Sequence, residues 1–147
     1  MDRNRATGIV INSNKIMFMQ QMVHGKLRHV FVGGGIEENE TPEQAILREL
    51  KEEANVDGSI LYGPVKHKTE YVFVIKINEG QEVILGYDPE IPKDEEQVIK
   101  NIVWRDLILD KEMFNEADKE FINAVISQAA EENIQADWLE SLKKVLS

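Results

Sequence analysis

The chain has 147 residues, 42% of them hydrophobic, with 17 basic against 27 acidic groups and a formal net charge of −10. That length supports one domain with its own core, residues 1–147, and that apolar content excludes wholesale disorder. The acidity argues against nucleic acid or an anionic membrane surface as a partner, and the absence of cysteine removes disulfides, thiolate metal sites and thiol nucleophiles.

In chain order, the N-terminus Met-Asp-Arg-Asn-Arg lacks the apolar core of a signal peptide, and no apolar run reaches the ~18 residues of a membrane span, so a cytoplasmic protein is expected. Thr7–Ile11 is apolar and β-branched and reads as a strand. Asn12-Ser13-Asn14 is turn chemistry, and Lys15–Met22 resumes an apolar run. Leu27–Val32 predicts a third strand, ended by Gly33-Gly34-Gly35. A helix follows: Thr41 is a good N-cap, Pro42 suits the first helical position, and Gln44 completes a capping box. Ala45, Ile46, Leu47, Leu50 and Ala54 form its apolar stripe, and Asn55 tolerates the left-handed conformation that ends many helices.

Ser59–Val65 and Thr69–Ile77 predict two more strands, and Asn78-Glu79-Gly80-Gln81 a hairpin turn into Glu82–Leu85. A polar, proline-bearing loop covers Tyr87–Glu96, and Val98–Trp104 is a last strand. From Lys111 to Glu132 the period is helical, Asn133 breaks it, and Ala136–Leu146 reads as a final helix. Strands, one helix, more strands and then helices give an α+β or α/β sandwich.

The segment from Gly34 to Val56 carries chemistry. It reads Gly34, five residues, Glu40, seven residues, Arg48-Glu49-Leu50, one residue, Glu52-Glu53, one residue, Asn55-Val56. On one helix Glu49, Glu52 and Glu53 stand at i, i+3 and i+4 and share a face. Three carboxylates there repel one another, and a divalent cation reverses that sign. Magnesium takes oxygen ligands, binds through a few carboxylates and keeps room for substrate phosphates. Gly33 and Gly34 let a backbone carbonyl approach such an ion. Arg48 is spaced to pair with Glu52, and could equally reach back to Glu40 and fix the loop to the helix. The bland alternative is a solvated acidic helix face.

This segment resembles the signature of the Nudix hydrolase family, glycine-x5-Glu-x7-Arg-Glu-apolar-x-Glu-Glu-x-Gly-apolar. Six of seven fixed residues and both apolar positions match, over 23 of 147 residues. The resemblance implies an α/β/α sandwich with a mixed β-sheet and C-terminal helices. It implies cleavage of a phosphoanhydride in a nucleoside diphosphate-linked compound with magnesium or manganese. Carried over by position, Glu52 and Glu53 would ligate metal, Glu49 would ligate metal or act as base, and the Gly33 carbonyl would be a further ligand. Gly34, Glu40 and Arg48 would hold the loop and helix together. Some family members place the base outside the motif, and Glu95 and Glu96 are this chain's candidates. The chain departs from the pattern at Asn55, where the family has glycine, and at Val32, where proline commonly precedes the paired glycines.

Arg5 and Arg28 are candidate substrate-phosphate contacts. Phe31, Tyr71, Tyr87 and Trp104 are core residues or nucleobase platforms. His24, His29 and His67 show no metal-ligand spacing. A nucleoside triphosphate, including a damaged one, is the first substrate expected, with a nucleotide sugar or dinucleotide next. The rival readings are a non-catalytic nucleotide-binding or regulatory module and a plain interaction domain. An isoprenoid diphosphate isomerase is disfavoured for want of a cysteine. The apolar C-terminal helices permit a monomer or a homodimer. The charge is uneven: residues 1–33 hold five basic and one acidic group, a net of +4, whereas residues 34–56 hold two and seven, a net of −5. The acidity that repels nucleic acid is thus concentrated where a cation would turn it toward a small polyphosphate.

Overall fold

Apolar, β-branched runs separated by turns that need positive φ lay down the first strands, β1 (Arg5–Asn12), β2 (Lys15–Val23) and β3 (Lys26–Val30). The turns place Ser13 at φ 56°, His24 at φ 49° and Gly25 at φ 76°. The computed structural model describes residues 4–84 and 98–147. Glu95, Glu96, Tyr87 and the loop that carries them lie outside the described residues.

The third strand expected over Leu27–Val32 is two strands. The chain leaves β2 after β3, passes the buried Phe31, and starts β4 (Val32–Gly35) against β1. The glycines therefore do not end a strand but form one. Gly33 pairs with Thr7 so closely that a Cβ would stand 2.3 Å from the Ala6 carbonyl oxygen. Pairing of the chain with two different neighbours decides this split, and no local turn signal records it.

Helix α1 (Pro42–Ala54) has the predicted ends. Thr41 Oγ1 accepts from Gln44 N at 3.1 Å, and Gln44 Oε1 accepts from Thr41 N at 2.9 Å. Asn55 closes it at φ 58°, ψ 32°. The side chain of Asn55 does something that glycine cannot: its Nδ2 donates to Ile84 O at 3.1 Å. Ile84 N donates to Ala54 O at 3.0 Å, and Gln81 Oε1 accepts from Asp57 N. These bonds hold residues 81–84 along the end of α1, so the part of the expected strand Glu82–Leu85 that is described, up to Ile84, is not a strand. Asn55→Ala should cost about 1–2 kcal/mol, from left-handed strain plus a lost bond, and Asn55→Gly less, since it loses the bond but not the left-handed conformation. Urea unfolding of both variants checks the order, and equal losses would refute it.

Strands β5 (Gly58–His67), β6 (Glu70–Ile77) and β7 (Val98–Asp106) follow, then α2 (Glu116–Glu131) and α3 (Asp137–Lys143). The helical run expected over Lys111–Glu132 is broken. A short 3-10 turn, Lys111–Met113, gives way to extended, buried Phe114, and Asn115 caps α2 anew. Anchoring Phe114 in the core outweighs continuing the helix. Asn133, at φ 57°, ends the α2 region as predicted. The final helix is shorter than the expected Ala136–Leu146, because its last turn, Lys144–Leu146, tightens to 3-10 geometry.

The seven strands make one mixed sheet. Strand β1 is antiparallel to β4 on one edge and parallel to β6 on the other, and β6 is antiparallel to β5. The end of β1 turns into β2, which is antiparallel to both β3 and β7. Side chains alternate across β1. Ala6 and Val10 pack with Ala45, Ile46, Leu50 and Ala54 of α1. Ile9 and Ile11 pack with Ile122 and Val125 of α2 and Leu142 of α3. The expected α/β/α sandwich with C-terminal helices is the observed one. No helix among the described residues is long and apolar enough to cross a membrane.

Candidate active site

Period 3.6 puts Glu49 and Glu53 on the α1 face that meets the sheet, one turn apart. Both are buried, with 1% and 4% of their surface exposed. This removes the reading of a solvated acidic face, because carboxylates at a solvated face do not bury against a sheet. Glu52 lies to the side and is partly open, its side chain 30% exposed.

Gly34 makes the burial of Glu49 feasible. A Cβ at position 34 would stand 2.3 Å from Glu49 Oε1 and 2.5 Å from Glu49 Cδ. The carboxylate fills the space that any side chain would take. The same Glu49 Oε1 accepts from Arg48 Nη1 at 2.9 Å.

Arg48 is the centre of the arrangement. Its Nε and Nη2 donate to the two oxygens of Glu40 at 2.7 and 3.0 Å, a bidentate pair. Nη2 also donates to Gly35 O at 3.0 Å, and Nη1 lies 3.4 Å from Glu52. The two partners open in the sequence, Glu40 and Glu52, are thus both engaged, with Glu40 much the closer. The bond to Glu40 raises the guanidinium above its ordinary pKa against the lowering effect of burial, and Glu49 raises it further. Glu40 in turn accepts from Glu37 N at 2.9 Å, so the arginine ties β4, the loop and α1 into one unit. Arg48→Ala strands these carboxylates. It should destabilise the fold by about 2 kcal/mol, with Arg48→Lys recovering only part, as chemical denaturation would show. Full recovery by lysine would mean that charge alone matters.

The donor set suits a hard divalent cation: oxygens only, two of them on buried carboxylates beside a backbone brought close by glycines. Among the described residues, no three acidic or imidazole groups converge closely enough to enclose a metal by themselves. Magnesium typically needs only one or two carboxylates, with substrate phosphates and waters completing the shell. The residues therefore fit such an ion in partnership with a polyphosphate.

On the other face of the sheet lies a cleft of about 600 Å³. Arg5 and Arg28 both line it, as do Thr7, Phe31, Glu70, Asn115 and Phe121. Arg5 shares the face of Thr7, away from Ala6 and α1, and stands 3.9 Å from Glu70, whereas Arg28 pairs with Gln21 at the edge of the cleft. At the inner wall His29 Nε2 meets Asp118 Oδ2 at 2.6 Å, both side chains under a tenth exposed. The ring of Phe18 stacks on His29 with centroids 4.2 Å apart. Asp118 also accepts from Asn115 N at 3.0 Å, and Asn115 Oδ1 from Asp118 N at 2.8 Å. Sequence reasoning missed Thr7, Glu70, Asn115 and Asp118 as cleft residues. Asn115 three positions before Asp118 is a capping signal visible in the sequence, but its link to His29 spans 89 residues. Among the aromatic candidates Phe31 is core and cleft wall at once, while Tyr71 and Trp104 pack against the α1 side.

Comparison with known proteins places this geometry. The chain matches the NUDIX domain family over residues 2–125. It is 40% identical over 63 residues to an 8-oxo-dGTP diphosphatase of Proteus vulgaris, a match covering 39% of this chain and 56% of that protein. It is 43% identical over 54 residues to an 8-oxo-dGTP diphosphatase of Escherichia coli (strain K12), covering 35% and 42% respectively. The chain spans about half the length of the curated relatives it matches. Among solved structures, a C. elegans Ap4A hydrolase binary complex superposes with a TM-score of 0.61 at 17% identity, covering 88% of this chain and 98% of that one.

Proposed function

Since the chain belongs to the NUDIX domain family, we propose that it is a divalent-metal-dependent hydrolase of a phosphoanhydride bond in a nucleoside triphosphate or another nucleoside diphosphate-linked compound. The observation that carries this reading is the burial of Glu49 against Gly34, with Glu53 buried one turn away on the same helix. Two carboxylates held together away from water are costly, and a fold keeps such a pair where a cation or a proton transfer uses it.

Magnesium or manganese would be held by Glu49, Glu52, Glu53 and the Gly33 carbonyl. When bound, the metal supplies positive charge to the phosphate oxygens and makes an attacking water more acidic. Glu49, the most enclosed carboxylate among the described residues, would ligate the metal or take the proton of that water, a role for which Glu95 and Glu96 are the alternatives. Arg48 holds the β4–α1 loop still, so the carboxylates meet the substrate in one geometry. The nucleoside end fits the cleft on the opposite face. Its Phe31 and Phe121 rings offer apolar surface, His29, Asn115 and Asp118 offer hydrogen bonds, and Arg5 and Arg28 would meet phosphates at its mouth.

The partner is thus a small-molecule nucleotide, and the names of the two curated relatives put oxidised purine nucleoside triphosphates first. A second reading is a nucleotide-binding module without catalysis. A panel of ordinary and oxidised nucleoside triphosphates, nucleotide sugars and dinucleoside polyphosphates, with magnesium or manganese and products identified, separates the two. Hydrolysis supports the first reading. Tight binding with no turnover on any compound supports the second.

A further inference from the structure

The polar groups on the inner wall of the cleft are not equivalent. On the edge strand β3, His29 is the one residue that is not exposed. Its pairing with Gln20 sets it on the Phe18 side of β2, facing α2. A carboxylate oxygen accepts, so His29 Nε2 carries the hydrogen of its 2.6 Å contact with Asp118 Oδ2. The same oxygen accepts from Asn115 N at 3.0 Å. Both bonds fall on Oδ2, and Oδ1 has no hydrogen bond among the described residues. Among those residues the one sealed side-chain polar atom without a partner is Arg105 Nε, so Asp118 Oδ1 is reachable from the cleft that Asp118 lines.

Capping of α2 explains only part of this arrangement. A capping box needs one oxygen and no burial, and Thr41 with Gln44 does the same work for α1 in an exposed place. Capping accounts neither for the 4% exposure of Asp118 nor for a histidine brought to it across 89 residues. The other carboxylate of the cleft, Glu70, accepts from Thr7 Oγ1, stands 3.9 Å from Arg5 and has a side chain 24% exposed. Asp118 is therefore the enclosed carboxylate of the cleft, one oxygen held from behind by two donors and the other open to a ligand. An acceptor fixed in such a place gains more from a ligand N–H than it would in open water.

We propose that Asp118 is a specificity-determining residue of the cleft, whose Oδ1 accepts a hydrogen bond from an N–H group on the base of a bound nucleotide, and that His29 is its positioning residue. Phe31 and Phe121, with ring centroids 5.8 Å apart, would cover the apolar surface of the base while Asp118 tests its edge. The proposal rests on the nucleotide reading of the cleft for its ligand. Nucleoside monophosphates, which hold no phosphoanhydride, test it without turnover.

The experiment is calorimetric titration with inosine 5′-monophosphate, whose base has an N–H, and purine riboside 5′-monophosphate, whose base has none. The wild type should bind the first about 10–100-fold more tightly, the scale of one hydrogen bond to a carboxylate. Asp118→Asn keeps an oxygen for the cap of α2 and puts an amide donor in place of the open acceptor, so this preference should vanish or reverse. A purely structural Asp118 would weaken both ligands by the same factor and leave their ratio intact. His29→Phe keeps a ring on Phe18 but loses the N–H, and should lower the ratio. His29→Gln, whose amide can donate to Oδ2, should restore part of it. No preference in the wild type, no binding of either compound, or an unchanged ratio in Asp118→Asn overturns the assignment, even where the chain is an active hydrolase. A wild-type ratio in His29→Phe removes His29 from it. Should Asp118→Asn fail to fold, the wild-type ratio and the two His29 variants decide. Selective binding without hydrolysis of any compound in the panel sustains the assignment and overturns the hydrolase reading instead.

Discussion

Glu53→Gln is expected to lower hydrolysis of the best substrate by about 10²–10³-fold, the scale of losing one group that stabilises charge in the transition state. The change keeps the shape of a residue only 4% exposed and removes its charge. The shape is kept, so the variant should still unfold cooperatively without divalent cation, and its melting temperature there sets the reference. Added magnesium should separate the two proteins. At about ten times its dissociation constant it should stabilise the wild type by about 1.4 kcal/mol and the variant far less. Retained activity in Glu53→Gln would remove this carboxylate from the site, and an equal response to magnesium would remove the ion from it.

Gly34→Ala carries the second large effect, by geometry rather than charge. The new methyl would stand 2.3 Å from Glu49 Oε1. A flexible exposed carboxylate could swing away at little cost, but Glu49 is 1% exposed and held by Arg48 at 2.9 Å. The clash therefore moves either the helix or the Arg48–Glu49 bond. Destabilisation of about 1–3 kcal/mol is expected, with activity down by about 10²-fold from a carboxylate displaced by an ångström. Gly25→Ala is the control. Position 25 has φ +76° but nothing within 4 Å of a Cβ, so it should lose about 1 kcal/mol and no activity. Denaturation and steady-state kinetics on the pair separate backbone strain from eviction of Glu49. Full activity in Gly34→Ala would contradict this account of the motif glycine.

The parts of the molecule that could be read from the sequence are those whose causes are local. Thr41, Pro42 and Gln44 announce the start of α1, and Asn55 its end, because caps act within a turn of the residues they cap. The carboxylate face was visible for the same reason: spacing along one helix fixes which side chains share a side. The burial of Glu49 was not visible, since it depends on a strand arriving beneath it. The glycines before α1 read as a terminator, yet their use is to let β4 lie close to β1 and to leave room for a carboxylate. The cleft was the least legible part. Thr7 and Glu70 bond across 63 residues, and His29 and Asp118 across 89. No pattern in any one stretch records such a meeting. Segment 81–84 illustrates the converse error, where turn chemistry was real but the chain after it bonded to the end of α1 rather than to β6.

The pairing of β1 with β6 has a consequence for how the molecule comes together in time. The first strand of the chain lies parallel to a strand that follows β2, β3, β4, α1 and β5, with Arg5 beside Glu70 and Val10 beside Ile75. Such a pairing closes a long loop before its contacts reward the closure, which slows folding. The motif helix lies inside that loop, and Glu49 has its cover only once β4 is laid on β1. During synthesis β1 waits for residues 70–75 before its inner edge is complete. The site and the global fold should therefore appear in one kinetic step, and amides of β1 should exchange with solvent only through global unfolding.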